Sequence, residues 1–164
     1  MIFICMTMAK AEPARVLGID YGDRAIGLAV SDELGMYARG LTTVRRGKDS
    51  PKWAYLEEIK EIAEANGVKT IVLGLPKNMN NTIGSQAEKT LEFGEKLKEI
   101  LTGVNLVFKD ERLTTALAER MLSEREFSRK RRSMVVDKIA AEIILQDYLD
   151  ERQRIKKLES EVSL

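Results

Sequence analysis

The sequence contains no histidine. That excludes Ser-His-Asp and Cys-His catalysis, and every metal site that depends on imidazole. Its single cysteine, Cys5, lies close to the N-terminus. No disulfide can form within one chain, so a reducing cytoplasm is the expected setting. Charge of one sign is not in excess either: 27 Lys and Arg stand against 26 Asp and Glu, a net of +1. Attraction to a polyanion would have to come from local patches. Long apolar runs are missing as well. The stretch Ile2-Phe3-Ile4-Cys5-Met6 is too short for a signal-peptide core and has no basic residue before it. With 32% of residues charged, the composition does not suit a membrane protein, and no membrane partner is expected. What is left for demanding chemistry is carboxylate, lysine, tyrosine, hydroxyl and bound metal.

The 164 residues, 44% of them hydrophobic, fit one domain with a real core. Residues 1–13 read as a loose N-terminal extension. Residues 14–150 form the expected domain, and 151–164 a charged, frayed C-terminal tail. No repeat, linker or low-complexity segment interrupts the chain.

Apolar runs at 15–20 and 25–31, separated by Tyr21-Gly22-Asp23-Arg24, predict two strands, and a third falls within 38–45. Short turns between them predict antiparallel pairing. Ser50-Pro51 is a good helix start and Gly67 a good stop, with Trp53, Leu56, Ile59 and Ala63 at helical spacing between them. Strands and helices then alternate. A wholly apolar strand spans 68–75, and a helix at 85–101 carries Ala87, Leu91, Gly94 and Leu97 on one face. A strand at 104–108 and helices at 114–126 and 133–149 complete the domain. The last helix has an apolar stripe of Val136, Ile139, Ala140, Ile143 and Ile144. Alternation of this kind requires parallel pairing through right-handed crossovers. The prediction is therefore an α/β domain whose mixed sheet carries helices on both faces.

In open α/β sheets ligands bind beyond the carboxyl ends of the parallel strands. Asp20 ends the first strand, Gly74-Leu75-Pro76-Lys77-Asn78 ends the fourth, and Asp110-Glu111-Arg112 ends the fifth. Asp137, early in the last helix, lies beside the apolar stripe and can face the sheet. Carboxylates gathered from separate elements repel one another unless protonated, paired or neutralised by metal. Oxygen donors without histidine or cysteine select Mg²⁺ or Mn²⁺. Two such ions, roughly 3.5–4 Å apart, suit phosphodiester cleavage. Taken singly, each carboxylate has a plainer role: Asp20 as a turn former, Asp137 at a helix N-terminus, Glu111 paired with Arg112. Their shared edge is what favours chemistry. Alternation along a strand lets either Asp110 or Glu111 face the site, but not both.

Four ordered blocks resemble the YqgF/RuvX family of ribonuclease H-like proteins, described as Holliday junction resolvases or pre-16S rRNA nucleases. The blocks are Gly18-Ile19-Asp20-Tyr21-Gly22 with its continuation to Asp32, Val72-Leu73-Gly74-Leu75-Pro76-Lys77-Asn78-Met79, Asp110-Glu111-Arg112-Leu113-Thr114-Thr115, and the segment from Asp137 to Leu149. Together they cover roughly residues 14–150. The resemblance implies a ribonuclease H-like fold with a five-stranded mixed sheet in the order 3-2-1-4-5. It also implies Asp20, Glu111 and Asp137 as catalytic, metal-holding carboxylates. One departure is Asn81, which stands where the family pattern has glycine; asparagine tolerates a positive φ better than most residues.

Arg24, Lys77 and Arg112 flank the carboxylates and are candidate phosphate contacts. So are Arg131 and Arg132, within the run Arg129-Lys130-Arg131-Arg132. Thr114 reads as a helix cap. Gly22 and Gly27 would allow close backbone approach, although tight-turn geometry serves Gly22 equally well. The expected function is a divalent-metal-dependent nuclease acting on structured RNA, in maturation of the pre-16S rRNA 5′ end. The alternatives are a Holliday junction resolvase, which needs a homodimer to cut DNA junctions symmetrically, and a non-catalytic nucleic-acid-binding regulator. An actin-like phosphotransferase needs two such domains, which 164 residues cannot supply.

Overall fold

The computed structural model describes residues 14–78, 80, 82–111 and 129–162, with the backbone alone given for 129–133. Five strands form one sheet: β1 (Arg15–Tyr21), β2 (Ala25–Ser31), β3 (Ala38–Arg45), β4 (Val68–Leu75) and β5 (Asn105–Asp110). Their order is β3-β2-β1-β4-β5. The first three strands pair antiparallel, while β4 and β5 join in parallel. Three helices are described: α1 (Tyr55–Ala65), α2 (Ser85–Ile100) and α3 (Arg129–Val162). The helix expected at 114–126 and the extension at 1–13 lie outside the described residues.

Two apolar clusters fill the two faces of the sheet. Leu17, Ile19 and Tyr21 of β1 join Ile71 and Leu73 of β4, Ile59 of α1, and Phe93 and Leu97 of α2. Val16, Ala29 and Val72 point the other way and meet Ala141, Ile144, Leu145 and Leu149 of α3. This is the period-two alternation of a sheet buried on both sides. Both faces of β2 are covered, and all seven of its residues are buried.

Some local expectations shift. Ser50-Pro51 opens a turn rather than the helix: Ser50 N–H donates to Gly47 O and Ala54 N–H to Pro51 O, and α1 begins at Tyr55. Gly67 does stop α1, with φ +63°. On α2 the buried face centres on Thr90 and Phe93, leaving Leu91 half-buried. On α3 the buried stripe is Ala140, Ala141, Ile144, Leu145 and Leu149, which keeps Ala140 and Ile144 of the expected set and is rotated away from the half-buried Val136, Ile139 and Ile143. The rotation has a visible cause. Three sheet glycines let the α3 turns come close, and a Cβ on Gly18 would meet Leu145 Cβ at 2.6 Å. Finally, α3 does not end at Leu149 but runs on through the charged segment to Val162.

The edge strand β3 is covered by α3. The Gln146 and Glu142 side chains accept from Ala38 N–H (2.8 Å) and Gly40 N–H (2.7 Å), and Thr43 Oγ1 donates to Met134 O at 2.9 Å. The first two bonds satisfy backbone N–H groups that an open edge would leave bare, and all three fix the helix along the strand.

Candidate active site

Asp20 is the next residue after Ile19 on β1 and lies on the α3 face, as Val16 and Gly18 do. Its two neighbours in the sheet are both glycines. Gly27 of β2 pairs with it directly. Gly74 of β4 follows Leu73, the partner of Ile19. Gly74 makes room for a second carboxylate, and Gly27 for the main chain of the helix that carries a third. The α3 backbone at Asp137 rests on Gly27 so closely that a Cβ there would overlap the Asp137 carbonyl. A Cβ on Gly74 would overlap Glu111 Oε2 and meet Ile144 Cδ1 at 2.6 Å. Asp137 and Glu111 therefore reach the Asp20 neighbourhood from opposite sides of β1.

Glu111 follows β5, and its N–H donates to Leu75 O at 3.3 Å, which carries the β4–β5 pairing one residue past Asp110. Leu106 and Phe108 face the α1/α2 cluster. Lys109 bonds Asp147 and Glu151 of α3 at 3.0 and 2.6 Å. Alternation then puts Glu111 on the α3 face, where its Oε2 is buried, and Asp110 is exposed. The ambiguity between the two acids is resolved in favour of Glu111.

All three carboxyls are held above the ordinary range. Burial, reinforced by the charge of Asp137, pushes Asp20 up to about 7. Burial pushes Glu111 up to about 8, with Asp20 and Asp110 adding repulsion. Burial alone raises Asp137 to about 6. Desolvation and mutual repulsion of this kind are relieved by protonation or by a neighbouring positive charge. The contacts are pairwise: among the described residues no three His, Cys, Asp or Glu side chains stand close enough together to hold a metal ion.

The basic candidates are more dispersed. Arg24 is exposed in the β1–β2 turn, where its carbonyl accepts from Arg46 N–H at 3.0 Å. Lys77 is half-buried in the segment after β4, at the same edge as Asp20 and Glu111. Arg131 and Arg132 lie in the first turn of α3, ahead of Asp137, and their side chains are outside the described residues. Arg112, Thr114 and Asn81 are outside them too. Gly22 belongs to the turn: its N–H donates to Ala25 O at 3.1 Å. Sequence reading missed the part played by Gly74, and nothing in the hydrophobic pattern marks it. Its position one residue past the Ile19–Leu73 pair is the signal, and only the register shows it.

Comparison with known proteins gives concordant results. Residues 14–151 match the family described as RuvX, Holliday junction resolvase. A Clostridium botulinum (strain Hall) protein named "Putative pre-16S rRNA nuclease" is 53% identical over 137 residues, covering 83% of this chain and 96% of its own. A protein of the same name from Caldanaerobacter subterraneus subsp. tengcongensis is 50% identical over 143 residues, covering 85% and 98%. Among solved structures, Thermus thermophilus RuvC in complex with Holliday junction substrate is similar, with a TM-score of 0.51 and 18% identity over 85% of this chain and 96% of that one. At that identity the likeness concerns the fold, which is ribonuclease H-like. Among the described residues no helix is long and apolar enough to cross a membrane.

Proposed function

The chain belongs to the RuvX family, and on that basis we propose that it is a divalent-metal-dependent nuclease that hydrolyses phosphodiester bonds in 5′-end maturation of pre-16S rRNA. The observation that carries this reading is the approach of Asp137 and Glu111 to Asp20 from either side of β1, each carboxyl desolvated and raised in proton affinity. Supporting it are the names of relatives that share half of its residues.

The donor chemistry suits a hard cation, while the three carboxyls do not stand close enough in this structure to share one ion and would have to draw together around it. The donor set is all oxygen, histidine is absent from the chain, and raised proton affinities are what repelling, desolvated carboxylates show before a cation neutralises them. Asp20, Glu111 and Asp137 would hold Mg²⁺ or Mn²⁺. When bound, such an ion supplies an activated water and a counter-charge for the leaving oxygen. The protein's own contributions follow from its packing. Asp20 sits on a central strand fixed on both sides, so its position is set by the sheet. The rest of α3 closes the face below the carboxylates with Ala141, Ile144 and Leu145, all buried, which keeps solvent from that side. Arg24 and Lys77 lie at this end of the sheet, and on this reading they would contact phosphate oxygens together with Arg112, Arg131 and Arg132.

A junction-resolving activity uses the same chemistry, and the family's description favours keeping it as a second reading; it requires a homodimer. The test is an assay with Mn²⁺ on a labelled RNA spanning the pre-16S 5′ end and on a labelled DNA four-way junction. Wild type is expected to cut the RNA. Asp20→Asn should be slower by more than the roughly hundredfold that loss of an outer-shell metal partner costs. Symmetric cutting of the junction alone would select the resolvase. Equal cleavage by wild type and Asp20→Asn would remove the catalytic role of the cluster and leave a binding or regulatory protein.

A further inference from the structure

A second charged feature lies at the same edge of the sheet, beyond the β1–β2 turn. It is a cleft of about 510 Å³ between that turn, the end of β3 and the start of α1. Five cations line it, Arg24, Arg45, Arg46, Lys48 and Lys52, against two carboxylates, Asp23 and Glu58. In a chain with a net charge of +1, this is a pronounced local excess. Asp23 is turned to Lys89 at 3.1 Å and Lys52 to Glu92 at 2.7 Å, which leaves Arg24, Arg45, Arg46 and Lys48 against Glu58.

The floor of the cleft is built rather than incidental. Arg46 N–H donates to Arg24 O at 3.0 Å, and its guanidinium donates to Gly22 O at 2.9 Å. That guanidinium lies over the rings of Tyr21 and Tyr55, 4.8 and 5.3 Å from their centroids. Tyr21 is itself stacked on Phe93 at 4.2 Å, and its hydroxyl meets that of Tyr55 at 3.1 Å. Arg46 is thus held half-buried by the core, while Arg24, Arg45 and Lys48 stand exposed around it. A fixed, planar guanidinium loses little freedom on taking an anion, and its fork suits phosphate oxygens.

The cleft opens on the α1 side of the sheet, where Arg46 lies over Tyr21 and Tyr55, while Asp20 faces α3, so the two are joined around the end of the sheet at the β1–β2 turn. Gly27 pairs with Asp20 on one side and Thr43 on the other, and Ala25 pairs with Arg45. Two strand residues, roughly 7 Å, therefore lead from the Asp20 row to the rim. Resting on the nuclease reading above, we propose that this cleft is a phosphodiester-binding site for the strand whose scissile bond lies at Asp20, with Arg46 as its fixed centre and Arg24 and Lys48 as exposed contacts.

The test is fluorescence anisotropy of the full chain in EDTA with two labelled probes, an RNA hairpin and a DNA four-way junction, across a salt series. Arg24 and Lys48 are exposed, so the double variant Arg24→Ala/Lys48→Ala should fold. Its plot of log affinity against log salt is expected to be shallower than wild type by about 0.9 for each duplex phosphate that the variant no longer neutralises. Its low-salt affinity is expected to fall by about tenfold or more, for whichever probe the cleft accepts. Lys98→Ala on α2, away from the cleft, should keep the wild-type slope. A double variant with wild-type slope and affinity, in a protein whose Mn²⁺-dependent cleavage still requires Asp20, would overturn the cleft and leave the nuclease standing. An equal drop in Lys98→Ala would also overturn it, by reducing the effect to general charge. Wild-type protein that neither binds nor cuts either probe would remove the nuclease reading and the cleft together.

Discussion

Asp20 places an electrostatic cost inside the fold. Its carboxyl titrates at about 7 rather than 3.8, so between those values the folded chain keeps a proton that the unfolded chain releases. Unfolding then releases protons, and stability falls as pH rises through that window. Metal-free wild type should gain stability when the pH is lowered from 8 toward 5. Asp20→Asn removes the charge and should melt higher than wild type at pH 8 in EDTA, an advantage that fades as the pH approaches 4. A shift of this size would be worth about 4 kcal/mol for a fully enclosed group. Solvent reaches part of Asp20, so about 1–2 kcal/mol is expected, or roughly 2–8 °C in a chain of this length. Thermal melts at pH 8 and pH 4.5 check this, and a variant that melts lower than wild type at both would contradict it. Added Mn²⁺ at pH 8 should reverse the order, because a ligand that binds the folded state stabilises it, and wild type has the fuller donor set. The same melts with a Mn²⁺ series read that out; equal stabilisation of both proteins would count against the site.

Glycine placement decides how the elements bring the carboxylates together. Gly27→Ala would push a methyl group into the α3 backbone at Asp137, which has no rotamer to yield. Overpacking of this kind costs about 1–3 kcal/mol and occasionally more, so the variant should lose stability and activity together. Gly74→Ala meets two side chains instead, Glu111 and Ile144. Those can rotate away, so stability should fall less while activity falls through displacement of Glu111. Urea unfolding alongside cleavage rates separates the two outcomes, and Gly27→Ala with wild-type stability would be incompatible with the packing of α3 on β2. The strands and the antiparallel pairing of the first three were legible in the sequence because apolar runs and the short turns between them carry that information locally, whereas the order 3-2-1-4-5 came with the family resemblance. Asp20 and Glu111 were legible as strand-end acids, and Asp137 as an acid beside a helical apolar stripe. The face that α3 buries was not legible, because Gly18, Gly27 and Gly40 meet it through contacts distant in the chain. The choice between Asp110 and Glu111 also needed the register, since alternation leaves both options open until Leu75 is paired with Asp110. The start of α1 was misplaced because Ser50-Pro51 suits a turn as well as a cap.

At the scale of the whole molecule, near-neutral net charge conceals a division of labour. Acidic side chains gather on the α3 face at one edge of the sheet, and basic side chains gather beside the β1–β2 turn at that same edge. The cleft escaped sequence reading because its cations come from the β1–β2 turn, the end of β3 and the segment before α1, and charge balance over the whole chain hides them. The arrangement suits a sugar-phosphate strand that is gripped by cations on one side of the turn and cut at carboxylates on the other. All of this stands on Asp20, Glu111 and Asp137 acting as one divalent-ion site, which anomalous scattering from crystals soaked in Mn²⁺ would show. Manganese is expected in contact with Asp20 and with at least one of Glu111 and Asp137. Manganese absent from this edge at saturating concentration, or bound elsewhere with all three carboxyls left to water, would refute the site.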